Sequence, residues 1–281
     1  MSESANLSTE SPPKPPTCDC HFHVFDAFGA LGHSPYARYV PQYSSTLGDW
    51  EACAHSARVS HGVVVQPSFL GADNQQLLQT LAQRPQTLRG VAVVASSVNE
   101  YELRAMHHAG VRGIRLNLMG AGDDVGALRA LPTSWWSALV AADMHLELHA
   151  DIGRIAALLP RVPHVATVVL DHFAKPSRVD LQDDTVRAVS HRSRSGCATY
   201  VTLSGAYRQA EATRSLCGEL ASLWLGELGA DQLLWGSDWP CTNFESQATY
   251  PALLDALRTW LPRASDWPNA LASNAQRLYW R

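Results

Sequence analysis

The chain has 281 residues, 46% hydrophobic and 17% charged, which supplies a large core and argues against global disorder. Its formal net charge of −4, with no basic run interleaved with aromatics, argues against a nucleic-acid or anionic-membrane partner. No stretch approaches the uninterrupted apolar length of a membrane span.

Residues 1–16 (MSESANLSTESPPKPP) are rich in Ser and Pro, and they lack the apolar segment of a signal peptide. They are expected to form a disordered tail before one domain over 17–281. The six cysteines, Cys18, Cys20, Cys53, Cys197, Cys217 and Cys241, form no Cys-x-x-Cys pair and are too sparse for a disulfide framework. Reduced thiols in a cytoplasmic protein are expected.

From residue 18 onward one rhythm holds. Short aliphatic or β-branched runs occur at 18–25, 62–68, 90–95, 113–118, 145–150, 166–173, 199–205 and 233–238. Amphipathic stretches lie between them at 47–60, 73–84, 98–109, 133–143, 151–160, 180–194 and 210–228, with a last one from about 249. Near-continuous apolar strands alternating with helices indicate a parallel sheet. Eight such units indicate a single (β/α)8 barrel, the TIM-barrel fold, rather than an open sheet. Several runs open on Gly (Gly62, Gly90, Gly113), where the cap of the preceding helix is expected.

A barrel of this kind carries its reactive groups at the C-terminal ends of its strands. Those ends read His21 and His23; Gln66 and Ser68; Arg115 and Asn117; His149; Asp171 and His172; Ser204, Tyr207 and Arg208; Ser237 and Asp238. Only the third strand ends without such groups. Polar residues at so many strand ends are costly for a core and normal for an active-site mouth. His21 and His23, two apart on one strand, share a face and could converge on a metal, a carbonyl oxygen or an anion. They could equally be half-buried histidines with hydrogen-bond partners.

The segments Asp19-Cys20-His21-Phe22-His23-Val24-Phe25, Arg38-Tyr39-Val40-Pro41, Val65-Gln66-Pro67-Ser68 and 110–117 (GVRGIRLN) carry a family likeness. Leu170-Asp171-His172-Phe173, 235–240 (WGSDWP) and 274–279 (NAQRLY) extend it to the C-terminus. Together they resemble the amidohydrolase superfamily, in its amidohydrolase-2 branch. Within it the likeness is to the lactonases that open 2-pyrone-4,6-dicarboxylate and sugar lactones. The resemblance implies a hydrolase for a small carboxylated lactone, with Asp238 as general base and His21, His23 and His172 polarising the carbonyl, directly or through a divalent ion.

A carboxylate in such a partly desolvated mouth is expected to have raised proton affinity. Arg115 resembles the arginine that grips a substrate carboxylate, although a rim salt bridge would use it equally well. Arg208 is a candidate second anion contact. Ser68, Tyr39, Asn117 and His149 are candidate substrate contacts, with packing as the alternative for Tyr39.

The likeness has departures. After Asn117 the chain reads 118–124 (LMGAGDD), which loses an arginine and adds carboxylates, so a doubly charged pyrone is in question. His21, His23, His149, His172 and Asp238 would suffice to ligate one zinc or manganese ion. The Lys typical of two-metal members at the fourth strand is missing, and Asn117 and Met119 lie there. Glu147 shares the face of His149. The preferred reading is a lactonase needing no cofactor. The alternatives are a metal-dependent amidohydrolase or decarboxylase of the same branch, and a non-catalytic binding barrel. Association into a homo-oligomer is compatible with such a barrel.

Overall fold

In a computed structural model, the structure describes residues 16–26, 37, 39–209, 215–261 and 263–281. The expected tail, apart from residue 16, lies outside the described residues, as do Arg38 and the first residues of the helix expected at 210–228.

Eight parallel strands follow one another in chain order: β1 (Cys18–Phe22), β2 (His61–Val65), β3 (Leu88–Ala92), β4 (Val111–Asn117), β5 (His145–His149), β6 (Val168–Leu170), β7 (Thr199–Leu203) and β8 (Leu233–Trp235). The last strand returns to the first. Trp239 bridges Phe22 in parallel, His23 N donates to Trp239 O at 2.8 Å, and Asp238 N donates to His21 O at 2.8 Å. The fold is the expected (β/α)8 barrel.

The helices are α1 (Leu47–Ser56), α2 (Gln75–Gln83), α3 (Glu100–His108), α4 (Asp124–Arg129), α5 (Thr133–Ala141), α6 (Ile155–Leu158), α7 (Asp184–Arg194), α8 (Cys217–Leu228), α9 (Tyr250–Trp260) and α10 (Asn274–Tyr279). Capping boxes start two of them, Thr46 with Asp49 at α1 and Asn99 with Glu102 at α3. The stretch expected to be helical over 151–160 shrinks to one α turn and a tighter turn containing Pro160, whose ring cannot continue the hydrogen-bond ladder. No helix among the described residues is long and apolar enough to cross a membrane.

Inside the barrel, Cys18, Cys20, Val63, Val65, Val91, Val169 and Leu234 pack together, and Ala275, Leu278 and Tyr279 of α10 cover them. That apolar floor is the base on which the polar groups stand. Gly62, Gly90 and Gly113 are not helix caps as expected. They lie within β2, β3 and β4 because neighbours press against their Cα atoms. A Cβ on Gly62 would come within 2.7 Å of both Phe22 and Trp50, and one on Gly113 within 2.2 Å of the His145 ring. After α3 the C-cap is Ala109, and Gly110 follows it at φ +102°.

Candidate active site

At the C-terminal ends of the strands lies a cavity of about 270 Å³. His23, Ser68, Arg115, Asn117 and His149 line it from β1, β2, β4 and β5 and their loops, and His172, Arg208 and Asp238 from the last three strands. Tyr39 reaches it from the first loop, with its ring also packed on Phe69 at 5.7 Å. The candidates therefore converge, with His21 fully buried just beneath them. A register shift in β1 between Asp19 and Phe22 lets Cys20 face the apolar floor while His21 still meets the polar groups above it. Gln66 instead ties its own loop together, donating to Gly71 O and Asp73 O. Tyr43 donates to Glu245 and links the first loop to the last.

Under the cavity, charges are stacked. Arg115 donates through Nε and Nη2 to Asp171 Oδ2, and its Nε lies 3.2 Å from Glu147 Oε1. His21 Nδ1 lies 3.3 Å from Asp171 Oδ1 and 3.9 Å from Glu147. Burial opposes protonation of His21, but Asp171 and Glu147 outweigh it and raise its proton affinity. Asp171, beside Arg115 and His21, is held well below the carboxylate range despite its burial. Burial and the neighbouring Asp171 push the Glu147 carboxyl up to about 8. Arg115 thus faces the cavity with much of its guanidinium committed to a buried ion cluster, nearer to the rim salt bridge than to a free anion grip.

Glu147 has a consequence for stability. Its folded-state affinity is raised, so its contribution is whole below the ordinary 4.5 and is lost as pH climbs toward about 8. Glu147→Gln should therefore gain on the wild type in urea-unfolding midpoint across that interval. Parallel pH profiles for the two proteins would contradict this.

Asp238 faces the histidines. Its Oδ1 lies 3.4 Å from His23 Nε2 and 3.8 Å from His21 Nε2, and its Oδ2 lies 3.8 Å from His172 Nε2. Tyr207 donates to Oδ2 at 2.8 Å, and Arg208 Nε bonds the same oxygen. The Arg208 guanidinium is itself held over the rings of Tyr207 and Phe244, 5.2 and 5.3 Å from their centroids. The expectation of raised proton affinity is overturned here. Burial does push the Asp238 carboxyl up, but Arg208 and the histidines outweigh it and hold it well below the usual range. It is ionised throughout the neutral range. His23 Nδ1 sits 2.8 Å from Val65 O, which can only accept, so that nitrogen carries the proton. Burial lowers the proton affinity of His23, leaving Nε2 as a lone pair beside Asp238 Oδ1. Two acceptors 3.4 Å apart form a seat for a water molecule that donates to both.

The turn after β6 was not foreseen. His172, Phe173, Ala174 and Lys175 all have φ between +43° and +59°. Such a run costs roughly 1–2 kcal/mol per residue for side chains other than Gly. Trp224 Nε1 and Gln209 Nε2 donate to the carbonyls of Phe173 and His172 and hold the turn in place. Its result is that His172 and Lys175 both reach the cavity. Lys175, Met119, Asn243 and Phe244 line it without having been singled out in the sequence. The acidic residues after Asn117, by contrast, stay out of it. Asp123 caps α4 and Asp124 pairs with Arg154, so no carboxylate from them enters the substrate space.

Among the described residues, two groups of donors have metal-ligand spacing: His21, His23 and Asp238, and His21, Asp171 and His172. In the first, His21 Nε2 and Asp238 Oδ1 are buried with no hydrogen-bond partner among the described residues, so these donors fit a single divalent ion. His149 does not fit the ligand set expected for it. Its Nδ1 lies 3.1 Å from Arg115 Nη2 and its Nε2 3.2 Å from Lys175 Nζ, so two cationic side chains occupy its ring nitrogens. Burial and these neighbours keep the ring neutral.

A mouth of histidines and one aspartate on a parallel barrel defines a hydrolytic class of enzyme. The amidohydrolase family model matches residues 18–281, and the chain belongs to that family. The 2-pyrone-4,6-dicarboxylate hydrolase of Comamonas testosteroni is 27% identical over 285 residues, covering 93% of this chain and 89% of that protein. A solved structure from Pseudomonas putida, described as a 2-pyrone-4,6-dicarboxylic acid hydrolase, is 31% identical with a TM-score of 0.83, covering 94% of this chain and 97% of its own. A structure of the same description from Acinetobacter baumannii, with citric acid bound, is 27% identical with a TM-score of 0.83, covering 94% and 99%.

Proposed function

We propose that the protein is a lactonase that hydrolyses a small carboxylated lactone. The observation that carries this reading is Asp238 Oδ1 3.4 Å from His23 Nε2, with His172 Nε2 3.8 Å from Oδ2, at the wall of a cavity sized for one ring. Water on the cavity side of Asp238 Oδ1 and His23 Nε2, donating to both, is placed to attack a carbonyl carbon, passing a proton to Asp238 as the C–O bond forms. His21, whose proton affinity its carboxylate neighbours raise, lies buried beneath the cavity with Nε2 3.8 Å from Asp238 Oδ1 and steadies that carboxylate, while His172, which lines the cavity, is placed to polarise the carbonyl. The ring C–O bond then breaks, and the proton on Asp238 is available to the leaving oxygen. His172, anchored to Ser204 Oγ at 2.9 Å, closes that side.

A divalent ion held by His21, His23 and Asp238 would supply Lewis acidity to the same carbonyl. Against an obligatory ion stands a cation already placed on the carboxylate, Arg208 bonded to Asp238 Oδ2. Lactone hydrolysis is therefore expected to survive chelation and dialysis within about twofold. Loss of activity on chelation, restored by zinc or manganese, would replace this mechanism with metal-activated water. The six cysteines form no disulfide and five of them are buried, which suits a reducing compartment, and we assign the enzyme to the cytoplasm.

A further inference from the structure

The charges lining the cavity can be paired off. Arg115 is bonded to Asp171 and lies beside Glu147, and Arg208 is bonded to Asp238. The third cationic side chain of the lining, Lys175, is only 3% exposed and has no carboxylate within 4.0 Å among the described residues. Its Nζ lies 3.2 Å from the thioether of Met119 and 3.2 Å from His149 Nε2. Neither contact satisfies it. A thioether is a weak acceptor, and a neutral imidazole has a single lone pair. Arg115 approaches Nδ1 and cannot give up a proton, so it claims that lone pair, and Nε2 then presents its own N–H to the lysine. A strained left-handed turn delivers this buried amine to the cavity without a counter-ion.

We propose that Lys175 is the substrate-carboxylate anchor and that it selects a lactone bearing an anionic group at this one point. The amine stands on the β4–β6 side of the cavity, beside Met119 and His149, while Asp238 and His23 stand at the β8–β1 seam. The recognised carboxylate therefore belongs to the part of the ring remote from the attacked carbonyl. Burial lowers the proton affinity of the free amine to about 8, and an anion seated on it restores the charge.

This substrate assignment rests on the lactonase reading; the anion site does not. The test compares kcat/KM for a lactone with one ring carboxylate against its methyl ester, in wild type, Lys175→Gln and Lys175→Arg. The wild type should prefer the acid, and Lys175→Gln should cut that preference about 10- to 100-fold, mainly through KM, the scale of one charge-assisted hydrogen bond. Lys175→Arg should keep most of it. In parallel, calorimetry with citrate should show about tenfold weaker binding to Lys175→Gln and little change for Lys175→Arg. An unchanged acid-to-ester preference together with unchanged citrate affinity in Lys175→Gln would overturn the proposal. If no lactone is turned over while citrate affinity still follows the charge at residue 175, the anion site stands and the lactonase reading falls.

Discussion

Asp238→Asn is expected to lower kcat for lactone hydrolysis by about 10²- to 10⁴-fold, the usual worth of a positioned general base, with a much smaller change in KM. The amide keeps the shape of the side chain and can still accept from Tyr207 or Arg208. What it loses is the charge that takes a proton from water. Because Arg208 and the neighbouring histidines hold the carboxyl well below its usual range, the base is ionised throughout the neutral range. The acid limb of a rate profile should then report another group. His23 is placed to supply it, since protonation would remove the lone pair that shares the water. A variant retaining more than about a tenth of wild-type kcat would remove Asp238 from the role of base.

The alternation of apolar runs and amphipathic stretches was enough to place all eight strands, because each parallel strand is buried on both faces and reads as a nearly unbroken apolar run. The strand-end rule then led to the cavity-lining His23, Arg115, His149, His172 and Asp238. Their electrical state was not legible. Whether Arg115 is free or spent depends on Glu147 and Asp171 standing on β5 and after β6, and the proton affinity of Asp238 depends on an arginine thirty residues away. Lys175 was invisible for a different reason. It follows His172 by three residues in the unremarked run 172–176 (HFAKP), and only the left-handed turn swings both side chains to one cavity. The glycines misled because a bare Cα can serve a cap or a close approach. Which neighbour presses on Gly62 or Gly113 is a tertiary fact.

Asp19→Ala should cost about 3–5 kcal/mol of stability, because it leaves several buried hydrogen-bond donors unpaired at about 1–3 kcal/mol each. For a domain of this size that is a fall in Tm of roughly 6–20 °C. Asp19 lies one residue from the floor of the site and is fully buried, yet it faces the seam rather than the cavity. Its Oδ1 accepts from Ser237 N at 2.8 Å and His21 N at 3.2 Å. Its Oδ2 accepts from Ser237 Oγ at 2.6 Å, Trp50 Nε1 at 3.0 Å and Tyr250 OH at 3.0 Å. One carboxylate thus joins β1, the residue before Asp238, and helices α1 and α9 across the closure of the barrel. Asp19→Asn should be milder. With its amide nitrogen in the Oδ2 position it can donate to the Ser237 and Tyr250 hydroxyls, which rotate to accept, whereas the Trp50 N–H cannot. The Ala variant should also lose kcat beyond its loss of folded protein, since the same bonds set the spacing of His21 and Asp238. An Ala variant melting within about 2 °C of the wild type would show that the seam is held by the Phe22–Trp239 bridge and by packing instead.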